Sequence, residues 1–357
     1  VAGLFLSVIA VTGSVILFRA EFERAAYPSG TAGNRAHHAN LDQAAGEVLQ
    51  ARPGWRIRRV RLPQAAGDPY IFQVESEDKD TERIVADAST GRVLGALRQS
   101  GTVDWLVDLH RNLLSGKQGR KAVGVFGIVL LVLSISGILM WLTTRRNWRA
   151  WISAPRPGSR RRFHFELHRL SGLWASAFLA VISFTGIGLA FPDNFRQAVQ
   201  ALTGKPASVR GPRNLNAQSM RPLNDYLRSG QAAMTDGVPI EMRLPAAKGP
   251  VDLRLYRAGD LAPSGNHVYL DPATANVLQV DRIVDRPMGA RFLAALSPIH
   301  YGEFGGLPIK IAWALFGLTP VLLFVTGLAA WWRPSRRKAT QAAEEKTGNE
   351  DFVTARL

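Results

Sequence analysis

Four largely apolar runs divide this chain, roughly at Val1–Phe18, Ala122–Leu142, Leu173–Phe191 and Ile309–Trp332. A helix needs about 20 apolar residues to cross a hydrocarbon layer of ~30 Å. The last three runs meet that length. Stretches such as FGIVLLVLSISGILMWL have no polar face, which a helix on the surface of a soluble protein would show. The first run is short because the sequence opens inside it, with Val rather than Met. A natural N-terminal stretch is expected ahead of it.

Between the runs the pattern shortens to helical and strand periods. Leu41–Ala51 reads as an amphipathic helix, followed by strands at Trp55–Arg61, Tyr70–Glu75 and Arg83–Asp87. The turn Asp87-Ala88-Ser89-Thr90-Gly91 then leads into Arg92-Val93-Leu94. The second long insert repeats the scheme, with a helix near Leu223–Met234 and strands near Ile240–Leu244, Val251–Tyr256 and His267–Leu270. Its turn, Asp271 to Ala275, leads into Asn276-Val277-Leu278. Asp opens such turns by bonding the backbone, and Gly supplies a positive φ. Ala275 replaces Gly91, so the second turn is expected to be looser or of another type.

The runs themselves repeat. Residues 109–142 align without a gap on residues 299–332, placing His110 on His300, Gly116 on Gly306, Gly137 on Gly327 and Trp141 on Trp331. At a different shift, Phe5-Leu6 and Val11-Thr12-Gly13 fall on Phe178-Leu179 and Phe184-Thr185-Gly186. The order is helix, insert, helix, written twice, and both units enter the membrane in the same direction.

Charge orients the plan. The formal net charge is +16. Arg145, Arg146, Arg149, Arg156, Arg160, Arg161 and Arg162 fill the second connection, and Arg333, Arg336, Arg337 and Lys338 follow the last run. Short basic clusters beside apolar runs mark the cytoplasmic side. Arg120, Lys121 and Lys310 lie at the other ends and weigh less. Nucleic-acid binding, the other reading of a basic chain, is not expected.

The expected architecture is a mainly α membrane protein with four transmembrane helices as a tandem two-helix repeat. The spans are 1–18, 109–142 (with an interfacial segment), 168–191 and 299–332 (likewise). Two α+β inserts, 19–108 and 192–298, face the periplasm of a bacterial inner membrane. A basic loop at 143–167 and a tail at 333–357 are cytoplasmic. The chain has no cysteine, so it holds no iron–sulfur cluster, thiolate zinc site or disulfide of its own.

The helix and strands ending in D-x-x-T-G-x-V-L, here Asp87 to Leu94, resemble the PepSY module. Two such inserts between helices carrying T-G and L/I-H…G…W features resemble the PepSY-associated transmembrane family, which includes iron-regulated inner-membrane proteins and ferric-siderophore reductases. The resemblance covers all but the 339–357 tail. It implies a b-type haem protein, with one or two haems, that passes electrons to a periplasmic ferric siderophore. The sequence departs from that pattern where a His-containing stretch would precede the first helix.

Four of the seven histidines sit at helix ends: His110, His164, His168 and His300. Two imidazoles on opposite faces of a haem leave its iron with no open position, which suits electron transfer. The repeat offers His110 and His300 as such a pair, at the interface between units. The equivalent of His168 falls five positions before Val1, so its axial partner is expected in the N-terminal stretch. His164 is an alternative contributor, but His164 and His168 are four apart on one helix face and cannot occupy opposite faces of one haem. HFELH fails the zinc-protease pattern H-E-x-x-H because Glu166 is misplaced. Arg111, Arg169 and Lys310 flank these histidines and suit haem propionates or headgroups. His37, His38 and His267 read as ordinary loop or strand residues. Helix glycines read as close packing or as room for a porphyrin.

No G-x-G-x-x-G opens a helix, so no flavin or nicotinamide site is evident. The electron donor is expected to be cytoplasmic or a quinol. The alternative function is a non-enzymatic, membrane-anchored module that binds a protein or peptide. Transport is disfavoured, since no acidic residue lies inside an apolar run.

Overall fold

The computed structural model describes residues 1–27, 41–65, 67–97, 101–144, 160–204, 215, 219–260, 262 and 264–331. His37, His38, most of the basic 143–167 connection and the 333–357 tail lie outside the described residues.

The membrane body consists of α1 (Ala2–Ile16), α5 (Gly116–Thr144), α6 (Arg160–Ala190), and the pair α10 (Gly306–Gly317) and α11 (Thr319–Trp331). Among the described residues, three segments are long and apolar enough to cross a membrane: 116–143, 162–190 and 306–331. A fourth arises if α1 and α2 (Arg19–Ala25), bent by 47°, count as one span. Helix α6 starts at Arg160, a full two turns before His168, so the end of the expected basic loop is helical. Its polar first turns lack the apolar signature of a span, which is why composition reads them as connection. The Arg162–Glu166 pair at 2.8 Å supports this stretch as an i,i+4 contact.

Two shorter helices, α4 (Gly101–Asn112) and α9 (Met288–Tyr301), approach the body before α5 and α10. They carry His110 and His300 in their last turns. Helix α9 stops at Gly302, whose φ of 64° is left-handed, a conformation glycine adopts without a Cβ penalty. Trp313 then donates from Nε1 to the Ile299 carbonyl at 2.9 Å, tying the end of α9 to α10. Helix α7 (Pro192–Thr203) follows α6 with Pro at its first turn.

Each insert supplies a helix and four strands: α3 (Leu41–Ala51) with β1 (Arg56–Arg61), β2 (Tyr70–Glu75), β3 (Thr81–Ala86) and β4 (Val93–Ala96), and α8 (Leu223–Ala233) with β5 (Val238–Arg243), β6 (Val251–Tyr256), β7 (Asn266–Leu270) and β8 (Val277–Asp281). They are not two separate units. The strands form one antiparallel sheet, β4-β3-β2-β1-β5-β6-β7-β8, joined where Val60 pairs with Met242. One face is apolar: Phe72, Val74, Ile84, Met242, Leu253 and Val268 pack under α3 and α8 in one core with Val48 and Tyr226. Asp42 of α3 accepts the backbone N–H groups of Leu223 and Asn224, capping α8 from the other half. The opposite face is mostly polar, as the period of two requires.

The two Asp-led turns have the same hydrogen bonds. Asp87 N–H donates to Arg92 O and Gly91 N–H to Asp87 O, each at 2.9 Å. Asp271 N–H to Asn276 O and Ala275 N–H to Asp271 O repeat them at 2.9 Å. Ala275 takes φ 60° where Gly91 takes 74°. The expectation of a looser or different second turn is therefore wrong. The Asp side chain and the sheet register dictate the turn, and Ala275 accepts left-handed backbone at about 1–2 kcal/mol.

Candidate functional site: a pair of imidazoles seated on T-G steps

His110 points from α4 onto α1. Its Nδ1 lies 2.8 Å from the Ile9 carbonyl and 3.5 Å from the Thr12 hydroxyl. A carbonyl only accepts, so Nδ1 carries the proton and Nε2 of the neutral ring keeps its lone pair. His300 points from α9 onto α6 in the same way, with Nδ1 3.0 Å from the Thr185 hydroxyl. That hydroxyl lies 2.8 Å from the Val181 carbonyl, to which it donates its proton, so it accepts from Nδ1. His168, on α6, repeats the arrangement against α11, with Nδ1 3.0 Å from the Leu323 carbonyl and 3.1 Å from the Thr326 hydroxyl. A hydrogen bond from Nδ1 to a carbonyl or hydroxyl fixes the ring and leaves Nε2 available to a metal.

A glycine follows each of these threonines, and each one faces the ring. A Cβ on Gly13 would lie 2.7 Å from Cε1 of His110. The corresponding distances are 3.2 Å for Gly186 and His300, and 3.4 Å for Gly327 and His168. These three glycines therefore admit the imidazole itself, a role distinct from helix packing or room for a porphyrin. Packing does describe Gly127, set against Ile187 of α6. The three T-G dipeptides, one per helix, were the sequence signal for this role.

The first two histidines meet. The ring centroids of His110 and His300 are 6.4 Å apart, tilted by 46°. Two imidazoles bound through Nε2 to one metal at about 2 Å each would place their centroids roughly 6.3 Å apart. Both rings line a cavity of about 1110 Å³, together with Gly13, Gly186, Arg111, Arg120 and Lys310. Among the described residues, no group of three or more His, Asp or Glu side chains could hold a metal ion alone. A metal held by this pair would draw its remaining donors from elsewhere.

The other expected residues separate from this centre. Thr185-Gly186 and His168 lie at opposite ends of α6, about 27 Å apart along its axis at 1.5 Å per residue. No ring contact among the described residues joins His168 to a second histidine. His164 sits one turn before it, edge-on to Phe163, with Nδ1 buried and without a hydrogen-bond partner among the described residues. Arg111 lines the cavity beside His110. Arg169 is half-buried next to His168 and does not line that cavity. Lys310 pairs with Glu21 at 2.9 Å. His267 belongs to the sheet, bonding Asp252 at 2.8 Å.

The sequence model described as the PepSY-associated TM region matches residues 1–333. An uncharacterized protein of Pseudomonas aeruginosa is 28% identical over 263 residues. That alignment covers 64% of this chain and 63% of the relative, so the chain spans less than two thirds of that protein's length.

Proposed function

The chain belongs to the PepSY-associated transmembrane family, and from that premise we propose that it is a haem-b-containing bacterial inner-membrane reductase that delivers electrons to a periplasmic ferric siderophore. The observation that carries the reading is the facing of His110 and His300 at 6.4 Å across the repeat interface, with both Nε2 atoms left for a metal. A haem held between two imidazoles supplies reversible one-electron transfer with no position open to dioxygen.

The chain's own residues would do the following. Nε2 of His110 and of His300 would hold the iron, while the Ile9 carbonyl and the Thr185 hydroxyl keep both rings in the required tautomer. Arg111 and Arg120, at the cavity wall, would take the propionates by charge-assisted bonds. Apolar Leu6, Ile9, Leu179 and Ile182 line the same cavity and would limit water at the rings. His168, seated on Thr326-Gly327, would serve a second haem nearer the cytoplasmic side. Across a layer of ~30 Å, two centres shorten the path for an electron from a cytoplasmic or quinol donor.

The substrate chemistry matches this role. Hard oxygen donors hold Fe(III) far better than Fe(II), so one electron loosens the siderophore's grip. The inserts, on the periplasmic side by the charge bias of the loops, would position the chelate. The test is reoxidation. Dithionite-reduced protein in nanodiscs, mixed anaerobically with a ferric siderophore and an Fe(II) trap, should reoxidise as trapped Fe(II) appears in equal amount. Reduced protein that stays reduced would contradict the reading. A protein that purifies colourless would point instead to the peptide-binding alternative.

A further inference from the structure

The cavity that holds the two imidazoles does not end at them. It continues to the polar face of the sheet, where Arg59, Gln73 and Arg83 line it. These three form one row across β1, β2 and β3: Arg59 pairs with Gln73, and Gln73 with Arg83. Adjacent strands are about 4.8 Å apart, so two guanidinium groups flank an amide on one flat surface. Arg61 adds a third, two residues along the same face.

Two carboxylates on this face are each shared among several arginines. Glu23 of α2 is shared, with Oε1 2.6 Å from Arg83 and Oε2 3.3 Å from Arg61. Glu241 serves three arginines: Arg243 at 2.5 Å, Arg254 at 3.6 Å and Arg59 at 3.8 Å. Asp252, opposite Arg243, takes the ring of His267 instead. Arg59 and Arg243 also stand directly opposite each other at the joint between the sheet halves. Like charges in that position repel, and the Glu241 carboxylate is the counter-charge the two share.

We propose that this sheet-side half of the cavity is the binding site for the iron chelate, and that it selects chelates of net negative charge, with catecholate or carboxylate oxygens, over neutral or cationic ones. That the ligand is an iron chelate rests on the reductase reading; the preference for an anion rests on the arginines. Glu23 shows the chemistry inside the molecule, because its carboxylate already lies between Arg61 and Arg83. It is a built-in competitor for the site.

The test uses full-length protein in phosphatidylcholine nanodiscs and Ga(III) chelates, which resemble Fe(III) chelates but accept no electron. Equilibrium dialysis compares the tris-catecholate trianion with a cationic linear trihydroxamate complex. The trianion should bind at least about tenfold more tightly and weaken with salt. Arg59→Gln and Arg83→Gln should each weaken it about tenfold. Glu23→Gln should tighten it severalfold, a gain that misfolding cannot produce. Equal binding of both chelates, binding of neither, or weakening by Glu23→Gln would overturn the proposal. So would loss of trianion binding once phosphatidylglycerol is added, which would assign the arginines to lipid headgroups. Since gallium is not reduced, the two readings fail separately. A b-type protein that ignores the trianion overturns this site alone, and a colourless protein that binds it overturns the reductase alone.

Discussion

His110 and His300 come from segments that align at one constant shift, and their rings stand 6.4 Å apart between the two halves of the repeat. Each is seated on a threonine–glycine step of a different helix, Thr12-Gly13 and Thr185-Gly186. The two segments thus bring their histidines together, each beside a threonine–glycine step but held by a different nearest acceptor.

The glycine seats predict a graded steric series. Ala at Gly13 would bring its Cβ to 2.7 Å from His110, against 3.2 Å at Gly186 and 3.4 Å at Gly327. Gly13→Ala should displace its ring and lower haem retention most, Gly186→Ala less, and Gly327→Ala least. Haem-to-protein ratios after purification measure the order.

The threonine support predicts an asymmetry. The His300 Nδ1 lies 3.0 Å from Thr185, whereas His110 leans on the Ile9 carbonyl, with Thr12 at 3.5 Å. Loss of the group that hydrogen-bonds a metal-ligating imidazole costs about 10–100-fold in metal affinity. Thr185→Val should approach that loss and Thr185→Ser should restore binding, while Thr12→Val should do less. Haem transfer to an apo-haem acceptor, followed optically, gives the off-rates.

The turn pair predicts a gain. Ala275 holds φ 60°, so Ala275→Gly should stabilise the sheet by about 1 kcal/mol. Gly91→Ala should lose a similar amount, since its φ of 74° is left-handed. Thermal unfolding of the purified protein reports both signs.

Asp87 predicts an acid limit for the sheet. Burial raises its pKa, but four bonds from Ser89 and Thr90 outweigh that and leave it below the ordinary 3.8. A depressed carboxylate stabilises the fold fully above its unfolded value and loses that contribution as pH falls through the folded value. Stability of the sheet should therefore be flat in this term above about pH 4 and drop below it. Asp87→Asn should flatten that drop in an acid titration followed by tryptophan fluorescence.

How much of this the residues announce differs by element. The spans and the His110–His300 equivalence are legible because apolar length and a constant shift are properties of the chain alone. The single sheet is not. Its joint pairs Val60 with Met242, and local period says which face of a strand is buried but not which edges meet. The first turns of α6 read as loop because arginines carry no apolar period. The left-handed Ala275 was missed because a turn enforced by Asp271 outweighs residue preference. The T-G seats lay in plain view as three dipeptides for three histidines, yet a lone glycine in an apolar helix reads first as packing.

The most direct measurement is the reduced-minus-oxidised spectrum of the full-length protein, expressed with haem supplied, beside His110→Ala and His300→Ala. A b-type α-band in the parent, with the same fraction of it lost in each variant, is the expected result. A colourless parent, or a band that either substitution leaves intact, would contradict the pairing of these two histidines on one haem.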